Sequence, residues 1–273
     1  MEIRLLIFTG VICNFDWFEW YVKAHVIKIS IITVARNAEK TIERTILSVL
    51  TQSYQNIEYI VWDGASTDKT LEIINKYKEK VSLIISQKDN GPADAINKSL
   101  RYASGSVVGF LNSDDYFFDS NVISIVANKM QSKKIDAIYG NINYVNRHNQ
   151  ITRKWKASDY SDGAFVRGWS IPFPTFYLKK IYYDKYGGLN QKYKICDDFE
   201  LIFRMIYINK IKVYRINKTL VTFSNDGRSS NILARILALR DIFKILRSGG
   251  ISINIISFIF KRYSEKIKQY INL

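Results

Sequence analysis

Proline, glycine, histidine and cysteine are all scarce in this chain. Three prolines and thirteen glycines among 273 residues exclude collagen-like repeats and linker-rich designs. Cys13 and Cys196 cannot build a disulfide framework, which fits a reducing, cytoplasmic setting. The two histidines, His25 and His148, stand in no metal-ligand spacing. A spanning helix needs ~20 mostly apolar residues. The apolar stretch Ile3–Cys13 is too short, is interrupted by Arg4, Thr9 and Gly10, and is followed by Asp16 and Glu19. No small-residue cleavage site follows it. Residues 1–27 therefore read as a leader, either poorly ordered or interfacial through Trp17, Phe18, Trp20 and Tyr21.

Common nucleotide and hydrolase signatures are missing too. Without G-x-G-x-x-G after the first strand or G-x-x-x-x-G-K-[ST] anywhere, dinucleotide dehydrogenases and P-loop NTPases drop out. Without G-x-S-x-G there is no nucleophile elbow. Any chemistry must rest on carboxylates.

What is present is an ordinary globular composition, 47% hydrophobic and 24% charged, with a net charge of +15. That excess implies attraction to phosphates, nucleotides or an anionic membrane face; a Lys/Ile/Asn-biased genome would also produce it. No RNP aromatics or recognition helix accompany the charge, so nucleic acid is not the expected partner. The charge is dense at the end of the chain. Residues 231–273 hold eight basic side chains opposed by Asp241 and Glu265, a net +6. Ile232, Ile236, Leu239, Phe243 and Leu246 recur there at helical spacing, Ser248-Gly249-Gly250 stops the helix, and an apolar run follows at Ile251–Phe260. Two basic amphipathic helices can lie in a headgroup layer or pack on the core of their own domain. The first alternative makes the protein peripheral on the inner face of the cell membrane.

Between these ends strands and helices alternate. Lys28–Ala35, Ile57–Trp62, Val81–Ser86 and Ser106–Leu111 read as strands. Ala38–Leu50, Thr67–Lys80 (capped by Ser66, with Asp68 in its first turn) and Ala93–Ala103 read as helices. The alternation predicts an α/β fold on a mostly parallel central sheet flanked by helices. Ligands of such sheets bind beyond the carboxyl ends of the strands. Thr33–Asn37, Asp63 and Asn112-Ser113-Asp114-Asp115 converge on that edge. Adjacent carboxylates such as Asp114-Asp115 repel each other unless a cation is bound, and their hard oxygens suit Mg²⁺ or Mn²⁺. An exposed acidic turn is the alternative. Asp197-Asp198 opens a helical run, Phe199–Ile208. A carboxylate there is expected to stay ionised and accept a proton; simple capping is again the alternative.

Four stretches, taken in order, resemble the family 2 glycosyltransferases of GT-A fold. They are SIITVARNAEKTIERTILSVLTQSYQNIEYIVWDGASTDKT, DNGPADAINKSL, GSVVGFLNSDDYF and GGLNQKYKICDDFELIFRM. The resemblance spans about Lys28 to Ser230. It implies nucleotide contacts at Thr33, Ala35, Asn37, Asp63, Asp94 and Asp114, a divalent cation (Mn²⁺ or Mg²⁺) on Asp114 and Asp115, and Asp198 as general base. It further implies an inverting enzyme that moves a sugar from a nucleotide-sugar donor, a UDP-sugar, to a glycan or lipid-linked acceptor in surface polysaccharide assembly. The expected organisation is a GT-A domain over residues 28–230, with a nucleotide-sugar half (28–141) and an acceptor half (142–230), then the helical tail at 231–273. Trp155, Trp169 and Phe173 are available to stack on a sugar in the acceptor half, or to pack its core. Four positions depart from the family pattern: Gln87 and Asn141 stand where acids are common, Phe173 replaces a frequent His, and Pro92-Ala93 replaces a bulkier pair. A catalytically silent relative, binding a nucleotide or a partner, is the competing reading.

Overall fold

A computed structural model of the protein describes residues 26–132, 134–193, 195–224 and 232–271. All of the leader except residues 26 and 27 lies outside the described residues.

Strand β1 (Ile29–Ala35) pairs in parallel with β2 (Ile57–Asp63) and β4 (Val107–Phe110), and β2 pairs in parallel with β3 (Leu83–Ser86). Helix α1 (Ile42–Leu50) follows β1, α2 (Thr70–Asn75) follows β2 and α3 (Pro92–Leu100) follows β3. This is the βαβ alternation expected from the sequence. Because helices cover both faces, β1 reads ISIITVA with no polar–apolar alternation, and even Ser30 and Thr33 are buried. Helix α1 buries Ile42, Thr45, Ile46 and Val49, one stripe at helical spacing.

Beyond β4 the sheet departs from the mostly parallel expectation. After β5 (Tyr116–Phe117) and α4 (Val122–Met130) come the long β6 (Ala137–Val145) and β7 (Ile151–Trp155). The short β8 (Tyr177–Lys179) inserts antiparallel between β4 and β6, and β9 (Val213–Ser224) runs parallel to β6 and antiparallel to β5. The strand order is β3-β2-β1-β4-β8-β6-β9-β5, with β7 on β6. A three-residue strand carries no readable period, so β8 was invisible to patterning. Its seat depends on a close approach: a Cβ on Gly109 of β4 would lie 2.4 Å from Cε1 of Tyr177. The division proposed at residues 141/142 falls inside β6, so the two halves share one strand.

Helix α2 is shorter than expected at both ends, giving way to turns after Asn75, and it starts late because the residues before it are used otherwise. Ser66 Oγ accepts the Asn37 N–H (2.9 Å) instead of capping, and Asp68 accepts from the N–H groups of Thr70 and Glu39.

The chain continues through α5 (Lys180–Tyr186) and α6 (Asp197–Phe203), which runs into one π-helical stretch, Arg204–Ile208. It ends in α7 (Ile232–Ser248) and α8 (Ile255–Ile271). Both tail helices pack on their own domain. Ile242, Ile245 and Leu246 of α7, Ile251 of the turn and Phe258 of α8 are buried in the same cluster as Phe165, Phe199 and Phe203. Their outer faces keep large apolar groups in solvent: Ile256 is 81% exposed, Phe260 74% and Ile267 59%. No helix among the described residues is long and apolar enough to cross a membrane.

Candidate functional site

Two joined depressions lie beyond the carboxyl ends of β1, β2 and β4, where this sheet class binds its ligands. The larger, about 1160 Å³, is lined by Ala35, Asn37, Asp68, Asp89, Asn112, Ser113 and Asp114, together with the cations Arg36, Lys40, Arg44 and Arg147. Its rim is the loop after β1 zipped to the loop after β2. Asn37, in the left-handed region at φ 51°, accepts the Thr67 N–H on Oδ1 (2.9 Å), and Glu39 accepts the Lys69 N–H (3.1 Å). That lattice holds Ala35 and Asn37 at the edge of the cleft.

Arg44 crosses the floor of this cleft. Its Nη2 donates to the Asp114 carbonyl (3.0 Å) and to Ser224 Oγ (2.8 Å), and its guanidinium lies over the Tyr116 ring. Its Nε–H is buried and has no partner among the described residues. A buried donor without an acceptor costs free energy until an anion supplies one. Arg36 at the exit of β1, Lys40 in the turn and Arg44 in α1 bring three cations to the cleft from nine residues of sequence, a cluster readable there that the motif reading passed over.

The adjacent carboxylates go separate ways. Asp114 lines the cleft. Asp115 is fully buried, accepting from the Ser224 N–H (3.1 Å) and Asn112 Nδ2 (2.8 Å), and its hydroxyl neighbour Thr45 bonds to its carbonyl. Burial, reinforced by the charge of Asp114, holds its carboxyl well above the usual range. The pair sits in a turn between β4 and β5, closed by the Asp115 N–H on the Asn112 carbonyl (3.1 Å), and the turn sends the two side chains different ways. A cation in the cleft would meet Asp114, with Asn112 as a neutral oxygen donor and Asp115 orienting the Asn112 amide from behind. Mg²⁺ and Mn²⁺ accept one or two protein carboxylates when diphosphate oxygens and water complete the shell, so this donor set fits a cation shared with a nucleotide. Among the described residues no group of three His, Cys, Asp or Glu side chains makes a self-sufficient metal site.

Three other expected nucleotide contacts sit differently. Thr33 is fully buried and its Oγ1 accepts the Tyr59 hydroxyl (3.2 Å). Asp63 is fully buried as well and accepts from the Ser66 N–H and the Ser86 hydroxyl (2.6 Å). Asp94 accepts the Asn90 N–H (2.9 Å) and pairs with Lys98 one turn on (2.9 Å). These three hold the walls of the cleft without lining it. Asp89 does line it. Its Oδ2 accepts Trp62 Nε1–H (3.3 Å), and a Cβ on Gly64 would lie 2.5 Å from that oxygen.

The second depression, about 450 Å³, shares Pro92, Asn112 and Phe223 with the first. Asp197 and Asp198 stand on its wall, at the start of α6. Asp198 Oδ1 accepts the Phe199 N–H (2.6 Å), and Asp197 Oδ1 accepts the Asp198 N–H (2.8 Å). The helix terminus was expected to keep Asp198 ionised, yet burial outweighs it and raises the Asp198 carboxyl. Asp197 is pushed up to about 7 by burial and by the charge of Asp198. Arg262, reaching in from α8, draws Asp198 back down; burial in turn lowers the guanidinium's own proton affinity. Arg262 bonds to the Gly168 carbonyl and lies over the Phe199 ring. Motif reading missed Arg262, because 64 positions separate it from Asp198 in the sequence.

Of the residues that depart from the family pattern, Phe173, Pro92 and Ala93 gather here, and Asn141 and Gln87 do not. Phe173 stacks on Phe110, with centroids 5.4 Å apart, and lines the second depression with Pro92, Ala93 and Trp155. Asn141 Oδ1 is taken by the Ala157 N–H (2.9 Å), and Gln87 is exposed. Trp169 is buried among Tyr139, Tyr160 and Phe165. Cys196 is buried, and its thiol is pushed up to about 12, which excludes it as a nucleophile at neutral pH.

Residues 30–198 match the profile of glycosyl transferase family 2. The UDP-Glc:alpha-D-GlcNAc-diphosphoundecaprenol beta-1,3-glucosyltransferase WfaP of Escherichia coli is 36% identical over 156 residues, which cover 56% of this chain and 61% of that protein. The chain thus spans about three fifths of the length of that relative. Among solved structures, S. aureus TarS 1–349 in complex with UDP-GlcNAc has a TM-score of 0.65 at 20% identity, covering 87% of this chain and 73% of that one. The mannosyltransferase PcManGT from Pyrobaculum calidifontis, in complex with GDP-Man and Mn²⁺, has a TM-score of 0.60 at 16% identity and covers 94% and 76% respectively. These likenesses show the GT-A fold.

Proposed function

The chain belongs to glycosyl transferase family 2, and from that membership we propose that it is an inverting transferase moving a sugar from a UDP-sugar to a glycan or lipid-linked hydroxyl. The observation that carries the reading is the junction of the two depressions. One is lined by cations and Asp114, the other by the Asp197–Asp198 pair, and Asn112 borders both.

In this reading Arg36, Lys40, Arg44 and Arg147 hold the donor diphosphate, and the orphan Nε–H of Arg44 finds its acceptor there. Ala35 and Asn37 border the nucleoside, with Asp63 stiffening the loop behind them. Asp114 and Asn112 would hold Mn²⁺ or Mg²⁺ against the diphosphate. When bound, that cation offsets the charge that builds up on the leaving group. The sugar lies toward Pro92 and Phe173. The acceptor hydroxyl enters from the second depression; its oxygen attacks the anomeric carbon, its proton passes to Asp198, and the anomeric C–O pair leaves with the diphosphate. A positioned carboxylate base contributes on the order of 10²–10⁴-fold. No covalent intermediate on the protein is required.

The UDP-sugar assignment draws on the UDP-Glc donor of the E. coli relative and on the UDP-GlcNAc bound to TarS. A lipid-linked acceptor likewise accords with the diphosphoundecaprenol substrate of that relative. Peripheral attachment to an anionic membrane fits the exposed apolar groups and net positive charge of the tail helices.

Calorimetric titration of the purified protein with UDP, GDP and dTDP, each with and without Mn²⁺, tests the reading. The expected result is Mn²⁺-strengthened binding of UDP over the other two. Preference for GDP or dTDP changes the donor, and folded protein that binds none of them returns the chain to a silent role.

A further inference from the structure

A third cavity, about 430 Å³, opens between β7 and the tail helices, on the side of Asp198 away from the nucleotide cleft. Six cations line it: Arg153, Lys154 and Lys156 from β7 and its exit, Arg235 from α7, and Arg262 and Lys266 from α8. Among the described residues no Asp or Glu lines it, and none of the six cations enters a salt bridge. Their mutual repulsion is felt, for burial and the charges of Arg153, Arg235 and Arg262 lower the proton affinity of Lys266.

Such a concentration of one sign is costly unless an anion completes it. Arg153 is the best placed donor. Its guanidinium is stacked 3.8 Å from the Tyr144 centroid and reaches toward Trp155 and Tyr270, so its orientation is fixed. Its Nε–H is nevertheless buried without a partner among the described residues. The cavity is continuous with the acceptor depression, since Trp155, Ser170, Ala238, Ile242 and Arg262 border both. On its outer side α8 carries Ile256, Phe260 and Ile267 in solvent, on the same helix that turns Arg262 and Lys266 inward.

We propose that this cavity is the seat of the diphosphate of a lipid-linked acceptor, with the acceptor sugar directed at Asp198 and the lipid running out along the exposed face of α8. The inference rests on the reading that Asp198 marks the acceptor side. The diphosphate of a lipid-linked sugar, esterified at both ends, brings about two negative charges to the six cations, and Arg153 presents its fork in a fixed plane suited to phosphate oxygens. The helix then serves two ends of one ligand: its inner basic positions hold the charged head and its outer apolar positions meet the chain.

Farnesyl diphosphate is the probe, titrated by Trp fluorescence or calorimetry into the whole protein saturated with UDP, which blocks the nucleotide cleft. Trp155 and Trp169 line the cavity and supply the optical signal. The expected result is saturable binding that weakens by about tenfold or more in the double variant Arg235→Gln, Lys266→Gln, with UDP affinity unchanged in that variant. Farnesol should bind far more weakly than farnesyl diphosphate. Equal binding to variant and wild type overturns the proposal, as does wild-type protein that binds UDP but not farnesyl diphosphate. Inorganic diphosphate binding as tightly as farnesyl diphosphate overturns the lipid assignment and leaves a simple anion site. Loss of UDP binding in the wild type would instead count against the proposed donor site, so the two failures are distinguishable.

Discussion

Asp198→Asn should lower sugar transfer by about 10²–10⁴-fold while UDP binds as before. The amide keeps the shape of the side chain and can still accept the Phe199 N–H, so the start of α6 is preserved. What it loses is the ability to take a proton from the acceptor hydroxyl. Because burial raises both carboxyls of the pair, with Asp197 at about 7, turnover should rise with pH as the pair deprotonates. Burial, and not the charge of Asp197, raises Asp198, so Asp197→Asn should keep the acid limb of the pH–rate profile that belongs to Asp198. Initial-rate measurements across pH on the three proteins, with UDP calorimetry on each, check this together. An Asp198→Asn enzyme of full activity would sink the assignment of the base.

The second large effect concerns stability. Arg204→Ala should destabilise the fold by about 3–5 kcal/mol, the cost of breaking a largely buried pair. Arg204 grips Glu200 through two bonds, Nε to Oε1 (2.9 Å) and Nη2 to Oε2 (3.0 Å). Its remaining N–H groups bond to the carbonyls of Tyr186, Gly187 and Gly188. Those carbonyls belong to the end of α5, where Gly187 turns left-handed at φ 82° and the helix leaves acceptors unsatisfied. One guanidinium thus ties the exit of α5 to α6, and Asn97 of α3 clamps the same loop through both Leu189 backbone groups. Arg204→Lys should recover little, since one ammonium cannot reproduce a planar fork. Urea denaturation compares the three proteins; an alanine variant within about 1 kcal/mol of wild type would refute the account.

Much of the first half was legible because its signal is long and regular. β1, β2 and the stripe of α1 each give several residues in one pattern, and a parallel sheet with covered faces follows from them. The strands beyond β4 did not declare themselves: β5 and β8 have two and three residues, and their places are set by partners distant in sequence. Residue type predicted chemistry better than it predicted orientation. Asp114 and Asp115 are alike in the sequence, yet one lines the cleft and the other is buried, and only the direction of each side chain separates them. Thr33 and Asp63 stand at strand ends as expected but turn into the core. Arg262 and Arg153 belong to surfaces assembled from separate parts of the chain, which no local motif encodes.

The seating of α8 against Asp198 has a consequence for synthesis on the ribosome. Strands β1 to β4 and their helices are made before the rest of the sheet and neighbour one another in it, so that half can fold early, while the cationic cleft is complete only once Arg147, Phe223 and Ser224 have followed. The wall that carries Asp198 comes later: β6 waits for β9, and Arg262 is made 64 residues after Asp198. A nascent chain stalled before α8 should therefore hold nucleotide but transfer nothing, and assay of such stalled complexes for both activities would show the order. The order of synthesis thus puts the cationic cleft in place before Arg262 can reach Asp198.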